Sequence, residues 1–130
     1  MTRTILLVED DDTLRLLTAD ALSMIDADVI ACVCADEAWA VLEYAKNVNL
    51  VLTDIRMPGQ LDGLQLAKLV AERWPSLPIV VMSGNRLAGD KLPTHAVFIA
   101  KPWTLDALFQ KIQPLLSDAI NTSQSDLKSP

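Results

Sequence analysis

Cysteine and histidine are scarce in this chain, which has two cysteines and one histidine among its 130 residues. Cys32 and Cys34 lie two positions apart, and in a strand they would project on one face at a separation unsuited to a disulfide. A thiolate metal site is not expected either, because the chain has no second cysteine pair to complete one. We therefore expect both cysteines to be reduced thiols, as is usual in the cytoplasm.

Basic runs and long apolar runs are also missing. The 11 Lys and Arg residues are scattered and the net charge is −6, which argues against nucleic acid as the main ligand because phosphate binding requires a basic surface. No stretch approaches the roughly 20 consecutive apolar residues of a membrane span, and the N-terminus has no signal-peptide pattern. We expect a cytoplasmic domain that binds neither nucleic acid nor a membrane.

Short apolar runs alternate with stretches of helical periodicity along the chain. Runs without in-and-out alternation are typical of strands buried on both faces, and their alternation with helices predicts a doubly wound α/β domain around a parallel sheet. The predicted strands are residues 4–8, 29–35, 49–53, 78–82 and 96–100, and the predicted helices are residues 13–25, 37–46, 63–74 and a last one from about 104. We expect one domain of residues 1–117 and a polar, flexible tail of residues 118–130.

Local signals add detail to the predicted helices. Asp36 is expected to be the N-cap of the second helix. Pro114 removes a backbone donor and is expected to kink or fray the last turn of the final helix. The apolar stripe that the first helix should bury comprises Leu14, Leu17, Ala21, Leu22 and Ile25.

Four of the predicted strands end in polar residues that could carry chemistry. In an open parallel sheet, ligands bind outside the carboxyl ends of the strands, so we expect these residues to meet at one edge of the molecule. Acids after a strand commonly cap the next helix, and Asp11 or Asp12 is expected to do so. The residues left as candidates for chemistry are Glu9 and Asp10 after the first strand, Asp54 after the third, Ser83 after the fourth and Lys101 after the fifth.

Carboxylates gathered at one edge repel one another unless one of them takes up a proton or a cation joins them. Oxygen ligands favour a small, hard ion, Mg²⁺ above all. A metal held by Glu9, Asp10 and Asp54 would leave positions for phosphoryl oxygens. Lys101 would supply a positive charge and Ser83 a hydroxyl donor. The pattern predicts phosphoryl transfer to a carboxylate.

Five segments together resemble the receiver domain of two-component response regulators over about residues 3–117; in order they are ILLVEDD, LVLTDIRMPG, DGLQLA, PIVVMSG and FIAKPW. The resemblance implies a flavodoxin-like five-stranded sheet of order 2-1-3-4-5. It also implies phosphorylation of Asp54 by a sensor histidine kinase or a histidine phosphotransfer protein. A protein of this kind catalyses only its own phosphorylation and dephosphorylation.

The resemblance assigns a role to each matching position of the metal and phosphoryl site. Asp54 matches the phosphoacceptor, and Glu9 and Asp10 match the acidic pair that holds Mg²⁺. Arg56 matches the residue that gives its backbone carbonyl to the metal. Lys101 matches the lysine of the family.

The resemblance also implies a conformational switch. Ser83 matches the hydroxyl residue that contacts the phosphoryl group, and Phe98 falls at the aromatic switch position, although packing in the core is an equally open role for it. The bond between Lys101 and Pro102 matches the cis peptide of the family.

Two departures from the family pattern bear on output. The loop MPGQLDG is one residue longer than usual, and the stretch from Ser83 to Lys101 is about one helical turn shorter. We therefore expect the fourth helix, between the fourth and fifth strands, to be shortened or missing. This resembles stand-alone or hybrid-kinase-linked receivers, which signal to a downstream protein by contact and without an output domain.

Other functions remain open from the sequence. The chain could be a receiver-fold protein-binding module or a phosphate sink, and it could form a homodimer. A Mg²⁺-dependent phosphohydrolase on a similar fold typically needs a second Asp two residues beyond the nucleophile, where this chain has Arg56. A flavodoxin-like FMN site is disfavoured because no phosphate loop rich in Gly, Ser and Thr follows the first strand. The cognate kinase and the downstream partner are not encoded in any recognisable way.

Overall fold

The computed structural model describes residues 3–44, 47–55, 62–84, 92–93 and 95–128, with the backbone alone for residues 117–128. Strands and helices alternate along these residues as the sequence predicts. The elements are β1 Arg3–Val8, α1 Asp12–Ser23, β2 Ala27–Cys32, α2 Ala35–Tyr44, β3 Val48–Asp54, α3 Gly63–Arg73, β4 Ile79–Ser83, β5 Val97–Ala100 and α4 Leu105–Lys128.

The strands form a single five-stranded sheet whose order is β2-β1-β3-β4-β5, and every neighbouring pair is parallel. This order confirms the predicted doubly wound, flavodoxin-like arrangement. The winding direction reverses between β1 and β3, so the carboxyl ends of these two strands border the crevice in which such sheets bind ligands.

Helices cover both faces of the sheet, as the side chains of β1 show. Ile5 and Leu7 belong to one core cluster with residues of α1 and α4, whereas Leu6 and Val8 belong to a second cluster with residues of α2 and α3. All four side chains are fully buried. Successive strand residues point to opposite faces, so a strand without polar alternation requires a cover on each side.

The register between β1 and β3 shifts after Thr4, where the ladder skips Asn49. The Asn49 side chain replaces the missing ladder bond, because its Oδ1 accepts a hydrogen bond of 2.8 Å from the Thr4 backbone N–H. Beyond the shift, Val8 pairs with Thr53. The residues that follow these two strands are therefore brought side by side.

The predicted stripe of α1 is wrong in its first half. Leu14 and Leu17 are 38% and 57% exposed, whereas Thr18, Ala21 and Leu22 are buried. Thr18 takes the place on the core side that Leu17 was expected to fill. A helical threonine can be buried because its hydroxyl can bond a carbonyl of the preceding turn, so residue type alone does not mark the buried face.

The start of α2 also differs from the prediction. The helix begins at Ala35, so Asp36 lies in its first turn and is not the N-cap. The Ala38 backbone N–H donates to the Cys34 carbonyl at 3.2 Å, which extends the helical bonding to that residue. Ala35 and Ala38 are both fully buried. Asp36 still places a negative charge near the helix N-terminus, where it is favourable.

The two cysteines are both free. β2 ends at Cys32, so Cys34 lies outside the strand and the two side chains do not share a strand face. Burial, followed by the nearby Glu37 carboxylate, raises the pKa of the Cys32 thiol to about 12. Cys32 is therefore held as a neutral thiol in the core.

The last helix, α4, continues past Pro114 to Lys128, so the proline does not end it. The flexibility of residues 118–130 stays a prediction. None of the helices described here combines the length and the apolar character needed to cross a membrane. The expectation that the helix between β4 and β5 is shortened or missing also stays a prediction, because residues 85–91 and 94 lie outside the described residues.

An aromatic and charged cluster joins α2 to the end of α3. The rings of Trp39 and Trp74 lie 5.3 Å apart between centroids and are inclined at 54°. The Arg73 Cζ atom lies 5.5 Å from the Trp39 ring centroid and 4.9 Å from that of Trp74. Arg73 Nη1 also pairs with Glu43 Oε2 at 3.2 Å. One cation therefore holds both helices through their aromatic side chains.

The substitution Arg73→Ala removes the ion pair and both ring contacts. We expect the free energy of unfolding to fall by about 1 kcal/mol, measured by urea titration with tryptophan fluorescence. Lys68→Ala, at an exposed position of the same helix, is the matched control and should stay within about 0.5 kcal/mol of the unchanged protein. Equal losses in the two variants would contradict this role for Arg73.

Candidate functional site

The carboxyl ends of the strands are tied to one another by backbone hydrogen bonds that continue beyond the sheet. The Glu9 N–H donates to the Cys32 carbonyl at 3.0 Å, and the Ile55 N–H donates to the Met82 carbonyl at 3.2 Å. The Lys101 N–H donates to the Ser83 carbonyl at 2.9 Å. These hydrogen bonds hold the ends of the strands in fixed positions, and the residues at this edge are therefore placed on a rigid backbone.

Three carboxylates meet at this edge. One oxygen from each of Glu9, Asp10 and Asp54 can be chosen so that all three lie within 4.8 Å of one another. Glu9 is only 1% exposed, Asp54 is half-buried and Asp10 is open to solvent. The structure thus brings together the acids that the sequence analysis grouped, and it leaves one side of the cluster accessible.

Lys101 connects two of these acids. Its Nζ atom donates to Glu9 Oε1 at 2.9 Å and to Asp54 Oδ2 at 3.0 Å. Burial lowers the pKa of Lys101, but the hydrogen bonds to Glu9 and Asp54 outweigh it and the net shift is upward. The ammonium group is therefore held in its charged form between the two carboxylates.

At Glu9, in contrast, the effect of burial on the pKa outweighs that of the hydrogen bonds. Its burial raises the pKa of the carboxyl group, and the neighbouring Asp54 charge adds to that effect. The hydrogen bonds from Lys101 and from the Asp11 backbone lower it by less. A buried carboxylate with a raised pKa is a group that a second cation would stabilise.

Residues of α1 and of the turn before it fix the backbone next to the acidic cluster. Asp11 is the N-cap of α1 and accepts a hydrogen bond of 2.9 Å from the Leu14 N–H, as predicted for a capping acid. Arg15 donates to the Glu9 carbonyl at 3.1 Å and pairs with Asp12 Oδ1 at 2.6 Å. Arg15 was not among the predicted residues, and its only signal in the sequence is that it is the single cation of the first helix.

Two of the remaining predicted residues lie in β4 and β5. Ser83 is buried at the end of β4, and Phe98 is half-buried in β5 opposite Val81. The Lys101–Pro102 peptide is cis, as the resemblance implies. Arg56 lies outside the described residues, so its predicted carbonyl contact with a metal stays a prediction.

A family model for the response regulator receiver domain matches residues 5–113. The chain belongs to this receiver family. Two relatives are similar to it in sequence. Response regulator protein FleR of Pseudomonas aeruginosa is 33% identical over 116 residues, which cover 86% of this chain and 24% of FleR. Hydrogenase transcriptional regulatory protein HoxA of Cupriavidus necator is 36% identical over 115 residues, which cover 82% of this chain and 23% of HoxA.

Solved structures agree with the family assignment. A response regulator receiver protein from Sinorhizobium medicae superimposes with a TM-score of 0.84 at 28% identity, and the match covers 91% of this chain and 97% of that one. The match therefore spans nearly the full length of that solved chain. In contrast, it spans about a quarter of the length of the two longer regulators.

Receiver domains bind Mg²⁺ at an acidic pocket, and this receiver has a carboxylate cluster that could hold such an ion. The donor set fits, because it consists of hard oxygen ligands with one open side and includes no thiolate or imidazole. Glu9, Asp10 and Asp54 are the described residues that would hold the ion.

The raised pKa of Glu9 predicts how the stability of this receiver depends on pH. Between the ordinary value of 4.5 and the raised value, the folded protein binds more protons than the unfolded chain. The free energy of unfolding therefore falls as the pH rises through that window. In metal-free protein, Glu9→Gln should remove this loss, so the variant should become increasingly more stable than the unchanged protein as the pH rises from 4.5.

Urea unfolding in EDTA at pH 5 and pH 8 measures this difference. Glu72→Gln is the matched control because it removes the same type of charge from an exposed position on α3. A stability difference for Glu9→Gln that does not grow with pH, or that the control reproduces, would contradict the role of burial at Glu9.

Proposed function

We propose that this receiver is a Mg²⁺-dependent phosphoacceptor that takes a phosphoryl group on Asp54. Receiver domains interact with histidine kinases or phosphotransfer proteins, and the proposed donor is the phosphohistidine of such a protein. The observation that carries the proposal is the lysine bridge: Lys101 Nζ lies within 3.0 Å of Asp54 Oδ2 while Asp54 shares an oxygen cluster with Glu9 and Asp10. The Asp54 carboxylate therefore has a positive charge, Lys101, on one side and the oxygen ligands for a metal cation beside it.

The proposed reaction uses this receiver's residues mainly to place and neutralise charge. An Asp54 oxygen attacks the phosphorus, and the bond between phosphorus and the donor nitrogen breaks. Lys101 balances the charge on the phosphoryl oxygens from its position between Glu9 and Asp54. A bound Mg²⁺ would supply further positive charge to the same oxygens.

Ser83 and Phe98 are the proposed route from phosphorylation to output. Ser83 lies at the end of β4, where its hydroxyl can donate to a phosphoryl group on the neighbouring strand end. The backbone of β5 is bonded to Ser83 through Lys101, and Phe98 precedes Lys101 by three residues in that strand. A shift of Ser83 would therefore change the packing of Phe98.

The receiver is proposed to catalyse only its own phosphorylation and dephosphorylation, and to signal through contact with a downstream protein. Signalling without an output domain stays a prediction, because the similar FleR and HoxA proteins are much longer than this chain. The competing phosphohydrolase lacks support, since position 56 holds an arginine where an acid/base aspartate is needed.

Labelling with acetyl phosphate tests the phosphoacceptor directly. The unchanged protein should gain one phosphoryl group in the presence of Mg²⁺, and hydroxylamine should remove it because an acyl phosphate is a mixed anhydride whose carbonyl carbon hydroxylamine attacks, releasing phosphate. Asp54→Asn should abolish labelling, and EDTA should do the same to the unchanged protein. Intact-protein mass spectrometry measures the product.

Two further variants make this test specific. Lys101→Met keeps the length of the side chain but removes its charge, and it should slow labelling about 100-fold. Asp20→Asn changes an exposed aspartate of α1 and should label at the normal rate. Persistent labelling of Asp54→Asn would overturn the assignment. Transfer from an autophosphorylated histidine kinase then identifies the donor.

A further inference from the structure

The first turn of α3 lies directly against the backbone of the proposed phosphoacceptor. The Gly63 N–H donates to the Ile55 carbonyl at 2.8 Å. A Cβ atom added at Gly63 would lie 1.8 Å from the Asp54 carbonyl oxygen, 2.7 Å from the Asp54 carbonyl carbon and 2.8 Å from the Ile55 Cα. These are backbone atoms, which cannot rotate away as the end of a long side chain could. A residue larger than glycine therefore requires α3 or Asp54 to move.

The Asp54 peptide is fixed on its other sides. The Ile55 N–H donates to the Met82 carbonyl at 3.2 Å, which holds the end of β3 to β4. The Thr53 hydroxyl donates to the Asp54 carbonyl oxygen at 2.9 Å. Gly63 lies against the same peptide from α3.

The start of α3 is equally well fixed. Asp62 Oδ1 accepts from the Gln65 N–H at 2.8 Å, and Gln65 Oε1 accepts from the Asp62 N–H at 2.9 Å, which together form a capping box. The following turn is anchored in the core by the fully buried Leu66 and Ala67. The helix thus resists moving away, and the displacement caused by a side chain at position 63 is transmitted to Asp54.

We propose that Gly63 is a positioning residue for phosphorylation. The absence of a side chain allows the first turn of α3 to set the Asp54 peptide at the depth where its carboxylate meets both Lys101 and Glu9. This inference depends on the proposed function of Asp54 but adds a residue that lies against main-chain atoms of Asp54 and Ile55 rather than against a carboxylate or the phosphoryl group.

Three variants separate positioning from simple helix stability. Gly63→Ala should slow labelling by acetyl phosphate about 100-fold, because a displacement of about 1 Å can have that effect, and it should weaken Mg²⁺ affinity measured by calorimetry. Gly84→Ala is the matched control: a Cβ there meets nothing within 4 Å, so labelling should stay normal. Asp62→Ala removes the cap and destabilises α3, but it should slow labelling far less than Gly63→Ala because it places nothing against Asp54.

A measurement on the unchanged protein covers the case in which Gly63→Ala fails to fold. If Gly63 helps to position Asp54, loading the site with Mg²⁺ and beryllofluoride must in turn stabilise the contact of Gly63 with Ile55. Hydrogen exchange of the Gly63 amide should therefore slow. Exchange of the Trp74 amide, which donates to the Val70 carbonyl at the far end of α3, should change less.

The outcomes are distinct. Normal labelling of a folded Gly63→Ala protein, or an equal loss in Asp62→Ala, would overturn the inference. Unchanged exchange at Gly63 in the loaded protein would do so as well. If the unchanged protein itself fails to label, the proposed function fails. In that case, a Mg²⁺ affinity that falls in Gly63→Ala but not in Gly84→Ala would still support the positioning of Asp54.

Discussion

The charge balance around the Lys101 ammonium group is the constraint on which the rest of this edge depends. Its Nζ atom bonds both a nearly inaccessible glutamate and a half-buried aspartate. Burying either acid alone would be strongly unfavourable, because a charge removed from water needs a partner in return. When the three carboxylates of the cluster are ionised, one ammonium leaves an excess of two negative charges. That excess is what a divalent cation would neutralise.

The sheet makes this balance possible by fixing where each charged group stands. Parallel strands place their carboxyl ends on one edge, and the skipped Asn49 sets the register that aligns the end of β1 with that of β3. Backbone bonds beyond the strands then hold Glu9, Ile55 and Lys101 to their neighbours. The site is thus built on rigid elements, which keeps like charges close without allowing them to separate.

The sequence predicted the parts of the molecule that follow from periodicity and strand ends. A parallel sheet gathers Glu9, Asp54 and Lys101 at one edge whatever the details of the loops, so their meeting could be inferred. The buried face of α1 could not be inferred, because Thr18 has a polar side chain and yet is buried in the core. The contact of Arg15 with the Glu9 carbonyl depends on the exact path of a turn, and the approach of Gly63 to Asp54 depends on how close the first turn of α3 lies to the end of β3. Neither contact produces a periodic pattern in the sequence.

Both of the supports that the sequence concealed act on main-chain atoms. Arg15 binds the carbonyl of Glu9, and Gly63 abuts the carbonyl of Asp54. The carboxylates themselves stay available for Lys101 and for a cation. A support that acted on the carboxylate oxygens would compete with the proposed phosphoryl chemistry, whereas one that acts on the backbone sets the geometry and leaves the lone pairs free. The rigidity of this receiver's site and its proposed reactivity therefore depend on different atoms of the same residues.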